Sequence, residues 1–185
     1  MKRKKPSILR GIATGVVAGM AATLIMDQFQ KLLAANEKTV EKLQKTAQGE
    51  TPWQIAQEQA EQESRAAQHE ASTEIIARKL AQVAGRPLQQ HQKKAGGHAV
   101  HYTFGTLMGV AYGIGAELLP EVTTGGGMAF GTLLFLAADE IAVPAFRLSP
   151  PPSETSVSNH LQHWAAHIVY GGTLELVRNL VFRAL

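Results

Sequence analysis

The chain contains no cysteine. Disulfides and thiolate chemistry are therefore excluded, although this alone does not fix a compartment. Zinc-finger spacing is missing too, and no stretch interleaves aromatic with basic residues, so nucleic acid is not an expected partner. There is no HExxH and no Glu-x-x-His pair, the helical signatures of zinc hydrolases and carboxylate-bridged metal bundles. An even spread of charge is also absent. Mean hydropathy is near zero at -0.06, but the average joins two unlike regions. The stretch Gln28–Gly97 holds 10 of the 18 Lys and Arg and 8 of the 15 Asp and Glu. The remainder is mostly long apolar runs.

The formal charge of +3 is weighted toward the start, at Lys2, Arg3, Lys4, Lys5 and Arg10. A basic start followed by an apolar run reads as a signal sequence or a first membrane helix. The run here is too long for a signal-peptide core, which favours the helix. A bilayer-spanning helix needs about 20 mostly apolar residues. Four segments come near that: Ser7–Met26, Ala99–Leu119, Gly125–Leu148 and His160–Phe182. The expected fold is all-α, a polytopic membrane protein of about four transmembrane helices with a polar helical insert after the first. Its parts are residues 1–27, a basic start and first span; 28–97, an extramembrane insert; and 98–185, spans two to four.

Glycine spacing supports this reading. Gly11, Gly15 and Gly19 repeat at every fourth position in span one, and Gly105, Gly109 and Gly113 do so in span two. In water each would cost about 1 kcal/mol against alanine. In lipid a glycine face lets backbones approach, and packing drives association. A homo-oligomer formed through these faces is one expectation. The lipid bilayer is the other partner, and no protein partner can be named.

The insert reads as helices. Phe29, Leu32, Asn36, Val40, Leu43 and Ala47 follow helical spacing, so span one continues outward until Gly49. The run Thr51–Gln54 is a helix start with a capping box and a first-turn proline. The next helix is expected to reach about Ala84, before Gly85–Pro87. Lys93–His98 is expected as a hinge into span two.

Alternating spans bring certain polar groups to one end. Asp27, His98, His101, Asp139, Glu140, His160, His163 and His167 all belong to the insert end. His160, His163, His167 and Tyr170 are spaced as one helical stripe. With the middle of the third connector near Ser153–Glu154, Glu140 faces about His167 and Pro144 faces about His163. Glu140 would then lie about 12 Å below the end of its span. Asp139 and Glu140 point about 100° apart, so they are not expected to face the same histidine. Intramembrane ionisable groups face a bundle interior and find partners. Three readings follow: a structural polar lock, a proton or ion pathway, or a metal site. For the last, His163, His167 and Glu140 suit zinc, iron or manganese. A metal site open to lipid would be an enzyme. The pathway and the lock would not, and the non-enzymatic side is preferred. A third class is a membrane-anchored interaction module using the insert. At the opposite end, Glu117, Glu175 and Arg178 suggest a Glu117–Arg178 or Glu175–Arg178 pair that sets helix register.

The second half resembles the YagU-like family of uncharacterised bacterial inner-membrane proteins. The resemblance is carried by HYTFGTLMGVAYGIGAELLP from His101, GTLL from Gly131, EIAVPAFRLSPP from Glu140 and HWAAHIVYGGTLELVR from His163. It covers about Ala99 to Arg178 together with span one. It implies a multi-pass protein of the bacterial inner membrane and no known reaction. It also implies an association with envelope or acid-stress physiology. The basic start argues for a cytoplasmic amino terminus, which leaves the insert outside.

Overall fold

The computed structural model describes residues 6–184. The basic run Lys2–Lys5 lies outside the described residues. Every regular element among them is helical. The order is α1 (Ile8–Ala47), α2 (Pro52–Gln68), α3 (Ser72–Val83), α4 (Gln90–Leu118), α5 (Met128–Phe135), α6 (Val143–Ala145) and α7 (Val157–Ala184). A seven-residue π turn, Leu136–Ala142, joins α5 to α6. Among the described residues, two stretches are long and apolar enough to cross a membrane, α1 and Pro120–Ala145.

The first helix is one rod of 40 residues, about 60 Å long. Ser7 caps it, its Oγ accepting from Arg10 N–H at 3.4 Å. The apolar half carries a small-residue face. Gly11, Gly15 and Gly19 lie against Gly113, Gly109 and Gly105 of antiparallel α4. A Cβ built on Gly15 would stand 2.5 Å from the Gly109 carbonyl oxygen. The glycine faces are thus spent on each other inside one chain.

The inner layer between α1, α4 and α7 is Ala18, Ala22, Met26, Tyr112, Ala166, Tyr170 and Leu174. Thr14 and Thr23 are buried beside it and return their hydroxyls to Arg10 O and Gly19 O. The outer faces stay apolar and uncovered: Leu9 is 76% exposed, Leu133 66% and Leu176 62%. Contiguous outward apolar surface of this kind marks a protein or membrane contact.

The turn before α5 is irregular. Gly125, Gly126 and Gly127 have φ of 68°, 64° and 85°, a left-handed run open only to glycine without strain. Gly127 also backs onto Gly171 of α7 at a separation no side chain would permit.

In the insert, Thr51 and Gln54 form the capping box that starts α2. The helix then returns along the outer half of α1, tied by Lys38–Glu63 at 2.8 Å and Lys45–Glu58 at 2.5 Å. Glu41 and Glu58 hold the Lys45 ammonium above its usual range. The expected single helix to about Ala84 is broken in two, with α2 ending at Gln68 and α3 beginning at Ser72. Glu70, in the break, bonds Arg78 Nε at 2.9 Å and Lys93 Nζ at 2.5 Å, so the chain turns and lays α3 on α4. The expected hinge at Lys93–His98 is helix. Gln89 and Gln92 form a capping box that opens α4 before it. The two glycines there serve packing instead. A Cβ on Gly97 would meet Glu74 Cγ at 2.7 Å, and one on Gly96 would meet Ala77 Cβ at 2.9 Å. Both expected part boundaries, after Asp27 and after Gly97, therefore fall within helices.

Candidate functional site

Pro144 shapes the site. It has no N–H to give the Glu140 carbonyl, and in a regular helix its ring would collide with that oxygen. The chain widens upstream into the π turn, in which Val143 N–H reaches back to Ala138 O. Such turns recur at functional positions. The widened turn carries both Asp139 and Glu140, and both face α7.

Each carboxylate meets its own histidine. His160 Nδ1 is 2.6 Å from Glu140 Oε1, and His160 Nε2 is 3.0 Å from the Pro152 carbonyl oxygen. His163 Nδ1 is 3.1 Å from Asp139 Oδ2. His167 Nδ1 is 3.8 Å from the same Asp139 oxygen, and it donates to His163 O at 2.9 Å. The expected Glu140–His167 pairing is therefore corrected. Glu140 pairs with His160, nearly two turns earlier on α7, and Asp139 meets His163 and His167. The symmetric count from Ser153–Glu154 fails because it assumes regular helix up to the connector, whereas the chain before it passes through the π turn, the short α6 and the irregular stretch 146–151.

His163 shares a surface cleft with Gln30, Leu33 and Gln162, and Gln162 bonds Glu37 of α1. Leu33 lies about 10 Å beyond Met26, where the apolar half of α1 ends. His163 thus sits level with the polar half of α1. Exposure falls inward, with the His163 side chain 46% exposed and that of His167 8%. Phe135 covers His167, with ring centroids 5.7 Å apart.

Farther in, His101 Nε2 is buried and has no hydrogen-bond partner among the described residues. Its electrostatic neighbours are Asp27, His98, His167 and Asp139. Asp27 itself is paired along α1 with Lys31 at 2.9 Å, and His98 is exposed. Among the described residues no three His, Asp or Glu side chains are arranged to hold a metal ion. The expected ligand set His163, His167 and Glu140 is not assembled, because Glu140 is turned to His160.

A second polar group lies at the opposite end. Glu175 accepts from Arg178 Nε at 2.7 Å, from Tyr112 Oη at 2.9 Å and from Asn179 Nδ2 at 2.9 Å. Glu117 pairs with Arg10 rather than Arg178. Arg10 Nη2 is 2.6 Å from Glu117 Oε2, and Ser7 N–H donates to the same oxygen at 3.1 Å. In the sequence Arg10 reads as part of the basic start. Its place three residues inside the apolar run is the available signal, since a cation there needs a partner. The Arg10 guanidinium also lies over the Phe182 ring, 4.8 Å from its centroid.

Tyr170 and Trp164 complete the α7 face. Tyr170 Oη donates to Gly105 O at 2.6 Å, and Trp164 Nε1 to Thr132 Oγ1 at 3.1 Å. Between the two polar ends lie the fully buried Ala18, Ala22 and Leu174.

No curated protein and no solved structure matches this chain. Residues 77–176 match the family described as protein of unknown function DUF1440. The match begins inside α3, before the Ala99 at which the YagU-like resemblance starts, and does not take in α1. It spans more than half of the chain, so the protein belongs to this family of unknown function, of which the YagU-like proteins are the known group.

Proposed function

We propose that this is a four-span protein of the bacterial inner membrane, with its amino terminus in the cytoplasm and the insert outside. In this reading the histidine–carboxylate cluster between the third and fourth spans is a proton-responsive lock. The apolar outer faces of α1, α4, α5 and α7 support the membrane reading, because in water they would be an aggregation surface. The glycine zipper between the first two spans supports it too, since close backbone packing is what holds helices together in lipid.

One observation carries the proton reading. His160 stands between a carboxylate and a carbonyl, 2.6 Å and 3.0 Å away. The Pro152 carbonyl can only accept, so Nε2 must bear a hydrogen. Nδ1 then donates to an ionised Glu140, or accepts from a protonated one. Either arrangement holds one proton more than a neutral imidazole beside a carboxylate. Without that proton the imidazole has a single N–H for two acceptors, Glu140 and Pro152 O, so one of the two ties that hold His160 is lost. The lock is therefore closed at low pH and loosens as pH rises and His160 gives that proton up. A lock fits better than a through-path, because Ala18, Ala22 and Leu174 fill the bundle between its polar ends. The reading assigns no reaction.

Trp164 is a built-in reporter, one residue from His163 and bonded across to α5. In a Trp53→Phe background, its emission in reconstituted vesicles should titrate across pH 5.5–8. Glu140→Gln with Asp139→Asn should flatten the curve. An unchanged titration in that variant would refute the lock.

A further inference from the structure

The insert contains a helix that faces the wrong way for a soluble hairpin. α3 turns its small and polar side, Thr73, Glu74 and Ala77, onto Gly96 and Gly97 of α4. Its apolar residues lie toward the outside at the C-terminal end. Ile76, Leu80 and Val83 follow at steps of four and three on one stripe, with Ile76 half-buried, Leu80 61% and Val83 89% exposed. Lys79 is exposed within that stripe, and Arg86 just beyond the helix end. Polar α2 has no apolar stripe: Ile55 is buried, and the one large apolar residue it exposes is Trp53, in its first turn.

The height of α3 indicates what covers this side. Gly19 of α1 is level with Gly105 of α4. Gly97 precedes Gly105 by as many residues as Asp27 follows Gly19. The crossing of α3 on α4 is therefore level with Asp27, where the apolar half of α1 ends. On the span side of that level, the outward surface continues as Leu24, Ile25 and Phe104, 48%, 46% and 43% exposed. An apolar stripe with long cationic side chains at that level has the make-up of an interfacial helix. Its aliphatic residues enter the boundary of the acyl chains, while lysine and arginine reach up to phosphates.

We propose that the outward face of α3, built from Ile76, Lys79, Leu80 and Val83 with Arg86, docks on the surface of an anionic phospholipid bilayer. The proposal rests on the membrane-spanning reading of α1 and α4. It adds that α3 lies in the headgroup layer, so that the insert is held down at one side and rises into water only through α2 and the outer half of α1.

The absence of native cysteine makes the test direct. Full-length Val83→Cys, Leu24→Cys and Gln57→Cys proteins carry one polarity-sensitive fluorophore each, in vesicles of phosphatidylcholine and phosphatidylglycerol. Quenching is read with bromine-labelled phospholipid and with aqueous iodide. The expected result is that Val83 is quenched by bromolipid, as Leu24 is, while Gln57 is quenched by iodide alone. Lys79→Glu with Arg86→Glu should shift the Val83 label toward iodide in these vesicles, and less in phosphatidylcholine alone. If the Val83 label meets iodide alone while Leu24 meets bromolipid, α3 stands in water: the docking is overturned and the spanning reading survives. If Leu24 also meets iodide alone, both fall. A Val83 label shielded from both quenchers, with energy transfer between labelled copies, would make a second copy the occupant and overturn the lipid proposal.

Discussion

The two polar ends of the bundle perform the same task with different chemistry. At one end, Arg10 of α1 pairs with Glu117 of α4 at 2.6 Å, and Glu175 of α7, paired within its own helix to Arg178 at 2.7 Å, accepts from Tyr112 of α4 at 2.9 Å. Arginine stays charged at any physiological pH, so that end is tied permanently. At the other end, the carboxylates meet imidazoles. In the proposed reading those ties depend on a proton that the imidazoles hold at low pH and give up as pH rises. One end would then be a fixed hinge and the other a catch, and only the catch faces the insert.

Removing one partner at the fixed end should have the largest effect. Arg178→Met leaves Glu175 buried without its main partner. It should lower stability in detergent by about 3–5 kcal/mol, equally at pH 5.5 and pH 8, by thermal unfolding. A strong pH dependence in that variant would erase the contrast between the ends. Next comes the glycine face that serves both ends alike. Gly15→Ala sets a Cβ against the Gly109 carbonyl and should cost about 1–3 kcal/mol, again without pH dependence. Asp139→Asn should cost less, of the order of 1 kcal/mol, and mainly at low pH, so that the stability difference between pH 5.5 and pH 8 shrinks.

The smallest effect lies in the insert. Lys93, and after it Arg78, hold the Glu70 carboxyl below its usual range. A depressed carboxyl contributes stability that is fully present above about pH 4.5 and is lost as pH falls through the folded value. Protection of α3 from limited proteolysis should therefore decline below about pH 4.5, and Glu70→Gln should remove that decline. The catch and the Glu70 clamp thus respond to pH in opposite directions.

Much of this was readable before any coordinates. Apolar periodicity and caps gave an all-helical chain, and Thr51–Gln54 marked the start of α2 because a capping box is a local device. The glycine intervals marked faces, but not what each face meets, since spacing along one helix holds no information about its neighbour. Pairing between helices was the harder part. Counting at 3.6 residues per turn assumes a regular helix, and the π turn before Pro144 breaks that assumption. Glu140 consequently met His160 instead of His167. Gly96 and Gly97 look like a hinge in sequence, yet they let α3 sit close on α4. Arg10 looked like one more basic residue of the start until Glu117, 107 positions away, was seen beside it.

The unbroken α1 has a mechanical consequence. From Met26 to Ala47 it extends about 31 Å with no proline and no glycine. A stiff rod converts angle into travel, so tilting its base by about 10° would swing its tip by about 5 Å. Glu37, where Gln162 of α7 bonds to it, lies roughly halfway along this arm. A small displacement at the catch would therefore reach the far end of the insert about doubled, as a push at the middle of a lever moves its tip.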